Sequence, residues 1–125
     1  MTKVVGESDV TTFHVSATRT SSGNTNSQEV FHIASGIMFL DVTSASGTLD
    51  IKIQTTPKTN PTANDWYDLG GGSFTQVTAT GKQSMAIVNF GHWVRCAYTI
   101  GGGSPSFTFE ILFVPSEYKG NSNFK

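Results

Sequence analysis

Apolar and polar side chains alternate at a period of two along much of this chain, and this pattern restricts its fold more than any other feature. It is clearest in residues 49–55, where the apolar members are Leu49, Ile51 and Ile53. It recurs nearer the C-terminal end, at Phe107, Phe109, Ile111 and Phe113. A period of two places alternate side chains on opposite faces of a β-strand, and no helical period is sustained beyond one turn. We therefore predict an all-β protein.

About eight strands follow from this pattern, separated by turn signals rich in glycine, asparagine and serine. Their predicted ranges are 9–20, 28–34, 36–43, 49–55, 73–80, 83–89, 93–100 and 106–114. Between them, residues 56–72 form a long connection and residues 101–105 a turn. We predict a two-sheet antiparallel β-sandwich, because two sheets can each bury one face across a core about 10 Å thick. A jelly-roll-like sandwich is favoured over an immunoglobulin-like one, which would have to form without the cysteine pair of antibody domains.

The length of 125 residues suits one domain with one core. We place the β-sandwich domain at residues 9–115, an N-terminal arm at residues 1–8 and a C-terminal arm at residues 116–125. Both arms lack a sustained period and are rich in small or polar residues. Frayed termini are one interpretation of these arms. The other is that Tyr118 and Phe124 anchor an arm on a neighbouring subunit.

Charged residues are few and balanced, with eight Lys and Arg, nine Asp and Glu and a net charge of -1. An electrostatic interaction with nucleic acid or anionic lipid is therefore not expected. No apolar run approaches the roughly 18 residues of a membrane span, and the first ten residues lack the apolar region of a secretory signal. The single cysteine, Cys96, and the lack of an Asn-x-Ser/Thr sequon agree with synthesis in a reducing compartment.

Residue types that catalyse reactions or bind metals are present, but not in recognisable constellations. The histidines, His14, His32 and His92, show no metal-ligand spacing. Asp65 and Asp68 flank an aromatic pair, and two carboxylates can act together in a glycosidase, although turn capping is the favoured interpretation. No Gly-x-Ser-x-Gly elbow or phosphate-binding loop is found. We predict no catalytic residues, no metal and no cofactor, and hence a protein that is not an enzyme.

Aromatic residues in the long connection and at the start of a later strand indicate binding instead. Trp66, Tyr67 and Asp68 are consecutive, and Trp93 begins a predicted strand. Exposed rings dominate contact energies at interfaces. These four residues are therefore the candidates for contact with a protein partner or a glycan. The alternative is that the tryptophans pack over the end of the sandwich.

Residues 40–114, about three fifths of the chain, resemble small all-β virion proteins of tailed bacteriophages. The stretches that carry the resemblance are SGTLDIKIQTTP, NDWYDLG, SFTQVTATGKQSMAIVNFGHWVRCAYTIGG and SPSFTFEILFV. They contain a strand of the type LDIKIQT, a loop closed by Trp and Asp-Leu, and a Phe-rich final strand. The resemblance implies a structural part of a phage particle and no catalytic residue.

Among such proteins, the physical features favour a capsid decoration, or cement, protein on the outer capsid surface, made in the host bacterial cytoplasm. It would bind the major capsid protein or another virion protein by shape and apolar area and stabilise subunit junctions. Proteins of this kind often form trimers. A trimer would bury the second apolar face of residues 37–42, so Ile37 and Phe39 are candidates for the subunit interface. A tail or head-completion protein, and a carbohydrate-binding or adhesion module, are the alternatives.

Overall fold

The fold is described from a computed structural model, which describes residues 10–118. Seven strands form one antiparallel sheet: β1 (Thr11–Arg19), β2 (Gly23–Asn24), β3 (Gln28–Glu29), β4 (Ile33–Thr56), β5 (Tyr67–Ser73), β6 (Gly81–Val88) and β7 (Trp93–Tyr118). The all-β prediction is confirmed. None of the secondary structure between residues 10 and 118 is a helix long and apolar enough to cross a bilayer.

Two very long strands, β4 and β7, organise the sheet. They pair antiparallel over their whole lengths, from Ile33 opposite Tyr118 to Thr56 opposite Trp93. The main strand order is β1-β7-β4-β5, while β2 and β3 also pair with β7 and β6 pairs with β4. Every other strand is therefore hydrogen-bonded to one member of this two-stranded ribbon.

The ribbon folds back on itself near its middle. Tyr98 and Phe109 both belong to β7, yet their ring centroids are only 5.4 Å apart, whereas eleven residues of straight strand would span about 36 Å. Gly47 and Gly102 lie at the bend with positive φ angles of 101° and 126°, which glycine adopts at little cost. A side chain on Gly47 would also overlap the carbonyl oxygen of Gly101. These glycines therefore allow the two strands to bend together.

Folding the ribbon encloses a single hydrophobic core between its halves. The alternating apolar residues that marked the two clearest predicted strands face inward with exposures of at most 2%: Leu49, Ile51, Ile53, Phe107, Phe109, Ile111 and Phe113. Val94, Cys96 and Tyr98, from the other half of β7, belong to the same core. The period of two therefore predicted the inward faces of these strands correctly.

The predicted division into about eight strands and two sheets differs from the structure. Hydrogen bonds define one seven-stranded sheet in residues 10–118, and the segments predicted at 36–43 and 49–55 are parts of β4. The predicted break at Ser35-Gly36 is wrong because β4 continues through both residues. A glycine stands within the strand at this point because a Cβ atom on residue 36 would overlap the ring of Phe113. Likewise, residues 101–105 are a bend within β7 and do not separate two strands.

The connection predicted at residues 56–72 also contains a strand. β5 includes Gly70-Gly71-Gly72 and pairs with β4 through Gln54 opposite Asp68 and Lys52 opposite Ser73. Between these two pairs β5 advances by five residues and β4 by only two, so the three glycines interrupt the regular ladder of hydrogen bonds. Gly71 has a φ angle of 74°. The strand predicted at 73–80 is largely absent: Ser73 is the last residue of β5, and beyond it Val77 forms an isolated bridge with Leu49.

The predicted domain boundary at residue 115 lies inside a strand, because β7 continues to Tyr118. Tyr118 pairs with Ile33, and Glu117 pairs with Ser35. Residues 116–118 therefore belong to the sheet. The predicted N-terminal arm, residues 1–8, and the remaining part of the C-terminal arm, with Phe124, lie outside the described residues.

Candidate docking face and aromatic loop

One face of the sheet carries apolar side chains that point away from the core. Residues 37–42 lie in the part of β4 that is flanked by β6 and β7. Directly paired residues share a face, so the outward residues of β4 extend onto both neighbours. We call the resulting group the outer patch; it consists of Ile37, Phe39, Ala86, Val88, Leu112 and Val114.

Exposure within the outer patch is unusual for residues of these types. The side chains of Phe39 and Val88 are 40% and 50% exposed, and Ile37 is half-buried. The alternate residues of the same strand, Met38 and Leu40, are at most 1% exposed. The strand is thus apolar on both faces, and contiguous exposed apolar groups on a sheet mark sites of protein interaction.

Charged and polar side chains border the outer patch at two ends. At one end, Lys82 forms an ion pair with Asp41 at 2.8 Å, and Glu110 pairs with Asp41 in the ladder. At the other end, the Ser35 hydroxyl donates a hydrogen bond of 3.1 Å to Glu117. An apolar centre with a polar rim is the usual composition of a protein–protein interface.

The predicted aromatic contacts lie on another part of the surface. Trp66 is half-buried, and the guanidinium of Arg95 lies 4.4 Å from its ring centroid. Arg95 Nε also donates a hydrogen bond of 2.9 Å to Gln54. One face of the Trp66 ring is therefore covered by the Arg95 guanidinium, which Gln54 of β4 holds in position.

Asp68 joins the same polar network through Gln54. Its carboxylate accepts a hydrogen bond of 3.0 Å from Gln54 Nε2 and an ion pair of 3.1 Å from Lys52. The hydrogen bond from Gln54 first, and that from Lys52 second, lower the pKa of Asp68. The structure thus brings Trp66 and Asp68 together, with Arg95 and Gln54 between them.

Tyr67 and Trp93 do not join this network to form a common platform of rings. Tyr67 is 64% exposed and pairs with Thr55, so it faces the opposite side of β5 from Asp68. Trp93 Nε1 donates a hydrogen bond of 3.0 Å to the carbonyl oxygen of Thr59, so this ring holds the loop beside it. Their contact with a partner or glycan stays a prediction.

Asp65 caps a turn, in agreement with the favoured interpretation of its position in the sequence. Its carboxylate accepts hydrogen bonds from the backbone N–H of Thr62 at 2.7 Å and from the Thr62 hydroxyl at 3.0 Å. These bonds, the backbone one first, lower the pKa of Asp65. Carboxylates held in turns in this way are structural features of loops.

The three histidines occupy different environments. His14 is buried against Phe109, His92 stacks on Phe31 and contacts the carboxylate of Glu29, and His32 lies 5.8 Å from the ring of Tyr118. Among residues 10–118, no group of three His, Cys, Asp or Glu side chains is placed to hold a metal ion.

Four members of the outer patch, Ala86, Val88, Leu112 and Val114, were not among the predicted interface residues. Part of the signal was visible in the sequence, because Leu112 and Val114 alternate with the core residues Ile111 and Phe113. The register that sets them beside Ile37 and Phe39 depends on pairing between distant segments. A single sequence does not contain that register.

No protein-family model matches this sequence, and no curated protein matches it significantly. Solved structures are similar in fold. PirA is similar over 90% of this chain and 95% of its own, with a TM-score of 0.51 and 15% identity. A chain in the structure of infectious bursal disease virus Gx strain is similar over 90% of this chain and 32% of its own, with a TM-score of 0.52 and 14% identity.

The SPBc2 prophage-derived protein YomS is also similar, over 90% of this chain and 99% of its own, with 14% identity and a TM-score of 0.49. At such identities the likeness to PirA and to the viral chain shows a shared fold alone.

Proposed function

We propose that this protein is a non-enzymatic structural component of a bacteriophage particle, a capsid decoration protein that binds the outer capsid surface and stabilises subunit junctions. The observation that carries this proposal is the outer patch, an apolar group on a sheet whose other face already closes the core. Burial of exposed apolar area is the main driving force of association. The patch therefore provides apolar area for association between copies of the chain, and a decoration protein can bind subunit junctions as such an oligomer.

The comparisons and the sequence are compatible with this role. The same fold occurs in a chain of a virus structure, and residues 40–114 resemble small virion proteins of tailed phages. We further propose that the folded ribbon is a two-layer sandwich of jelly-roll type. Its site of action would be the capsid surface of the virion, after synthesis in the host cytoplasm.

The pKa values of three side chains that could take part in catalysis, Cys96, Asp65 and Asp68, are shifted in directions that disfavour such a role. Burial raises the pKa of the Cys96 thiol to about 12, so the nucleophilic thiolate is scarce at neutral pH. The lowered pKa values of Asp65 and Asp68 disfavour a proton-donating carboxylic acid, which glycoside hydrolysis needs. These observations support the proposal that the protein is not an enzyme.

We propose that the outer patch is the subunit interface of a homotrimer. Phe39→Asp places a charge within the patch and should convert a trimer into monomers, because burying an unpaired charge is costly. Tyr67→Asp is the matched control, since Tyr67 is also exposed but lies on another surface. Sedimentation velocity at tens of micromolar would measure both. A monomeric parent protein, or a trimeric Phe39 variant, would overturn the trimer.

The decoration role itself is tested by occupancy on capsids of the phage that encodes the chain, measured by electron microscopy of particles that carry the parent protein or one of the two variants. Loss of density with Phe39→Asp but not with Tyr67→Asp supports docking through the trimer. Density in the tail or at the head–tail junction would indicate the alternative virion roles. Loss with Tyr67→Asp alone would instead favour a surface around the aromatic loop.

A further inference from the structure

The edge strands of the sheet differ in how they are protected from pairing with other chains. Five strands, β1, β2, β3, β5 and β6, each pair with one neighbour only. β2 and β3 contain two residues each, the register of β1 shifts on both sides of His14, and the register of β5 is irregular. Very short strands and bulges are devices that make an edge a poor template for a further strand. Four of the five edges are therefore protected.

The remaining edge strand, β6, lacks these devices. All eight of its residues, Gly81–Val88, pair with β4 in consecutive register, and none of them is proline. Its one charged residue, Lys82, forms an ion pair with Asp41. Within residues 10–118, no strand pairs with the other side of β6. Since an antiparallel strand directs about half of its backbone N–H and C=O groups to each side, β6 presents a row of such groups that a further strand can complete.

The side chains beside this edge define the chemistry of a strand that fits it. Met85 and Ile87 lie on the inner face, where both pack against the core. Ala86 and Val88 lie on the outer face and belong to the outer patch. Residues of an added strand would lie next to these side chains, and a charge placed beside the core would lose its hydration without gaining a partner. The edge therefore fits an uncharged segment with apolar residues at alternate positions.

We propose that an extended segment of another virion protein adds to β6 as a further strand of the sheet. The proposal rests on the proposed function and states how the decoration protein contacts its partner. A second copy of this chain fits less well, because pairing of β6 with itself is two-fold, whereas the proposed trimer is threefold. Pairing from head to tail would need a second regular edge, and residues 10–118 have none. In strand addition, main-chain hydrogen bonds supply affinity and alternate side chains supply specificity.

Hydrogen–deuterium exchange of the full chain, free and bound to capsids of the phage that encodes it, tests the proposal. Backbone N–H groups on an open edge exchange rapidly, and strand addition protects them. On binding, a peptic peptide that covers residues 81–88 should show exchange slowed at least about tenfold at about half of its amides. A peptide that covers residues 11–19 is the control, because β1 is the opposite edge of the same part of the sheet and should not change.

The exchange measurement separates this proposal from the decoration role. Bound protein with no added protection in residues 81–88, or with equal protection of both edges, would overturn the addition of a strand to β6 and leave the decoration role standing. Protection that rises with concentration in the free protein would show that a second copy occupies β6, which also overturns it. Failure of the parent protein to bind capsids would overturn both proposals.

Proline substitution is the second test, because proline lacks an N–H and its ring obstructs an incoming strand. Ser84→Pro and Met85→Pro are both made, since N–H directions alternate and one of the two spares the pairing with β4. Circular dichroism identifies the variant that folds, and its capsid occupancy should fall at least about tenfold through loss of a hydrogen bond and obstruction by the ring. Ser16→Pro, at an exposed position inside the register shift between His14 and Ala17, is the matched control. Parent-like occupancy in the folded β6 variant would contradict the proposal.

Discussion

Arg19 donates a hydrogen bond from Nε to Nε2 of the buried His14, 2.9 Å away. The other ring nitrogen, Nδ1, donates to the carbonyl oxygen of Phe109 at 3.0 Å, and the imidazole stacks on the Phe109 ring with centroids 4.1 Å apart. The neutral ring satisfies both bonds, whereas a proton on Nε2 would remove the acceptor and place a positive charge beside Arg19. Burial lowers the pKa of His14 most, and the charge of Arg19 lowers it further.

This arrangement predicts that stability decreases in mild acid. Because the folded protein keeps His14 neutral, the unfolded chain binds more protons below the ordinary histidine pKa of 6.5. The free energy of unfolding should therefore be fully retained above that pH and decrease as the pH falls below it. Urea midpoints from about pH 7.5 to 5 measure this. His14→Gln should flatten the decrease, while His32→Gln, at an exposed site, should keep it; an equal slope in the His14 variant would contradict the assignment.

The two faces of the sheet should respond differently to loss of a phenyl ring. Phe109→Ala should cost about 3–5 kcal/mol of stability, because it leaves a cavity in the core at a residue that is 0% exposed. Phe39→Ala should cost less than about 1 kcal/mol in the monomer, since its ring is 40% exposed. Chemical denaturation at a concentration where the chain is monomeric measures both. Comparable costs would show that the outer patch belongs to the core.

Gly36 should not tolerate a methyl group. A Cβ atom there would overlap the ring of Phe113 and lie 2.9 Å from the carbonyl oxygen of Val114. Gly36→Ala should therefore cost about 1–3 kcal/mol through overpacking. Gly70→Ala is the matched control, because nothing lies within 4 Å of its Cβ position; its effect should stay within about 0.5 kcal/mol. Thermal unfolding compares the two, and a neutral Gly36 variant would mean that Phe113 moves freely.

Removing the cation over Trp66 should expose that ring. In a Trp93→Phe background, which leaves Trp66 as the single tryptophan, Arg95→Met should increase quenching of tryptophan fluorescence by acrylamide. The stability change should be about 0.5–1 kcal/mol, as for other exposed cation–π pairs. Lys52→Met is the control, because Lys52 contacts Asp68 and not the ring. Unchanged quenching in the Arg95 variant would show that another group covers Trp66.

The inward faces of the regular strands could be predicted because their information is local. Leu49, Ile51 and Ile53 alternate with polar residues in the sequence, and all three are at most 2% exposed. Alternation depends only on the period of the extended backbone, which is the same wherever the strand lies. The all-β class followed for the same reason.

Alternation is a poor guide in β1: Phe13, Val15 and Ala17 lie at a period of two in the sequence, which predicts a shared inward face, with His14 on the other face. The structure buries both Phe13 and His14 and leaves Val15 64% exposed. The register with β7 shifts on both sides of His14. Such a bulge reverses the faces of the residues that follow it, and it is set by contacts with residues more than ninety positions away.

Local alternation was enough to predict strands with an apolar inner face, and residues 37–42 carry apolar side chains on both faces. That β4 and β7 are continuous and bend follows only from the folded chain, in which Gly36 packs against Phe113 and Gly47 against Gly101 too closely for a side chain. The tertiary structure also decided which residues join Ile37 and Phe39 on the outer face. The physical reason is that strand period is a property of the backbone, whereas register and bending arise from contacts between distant parts of the chain.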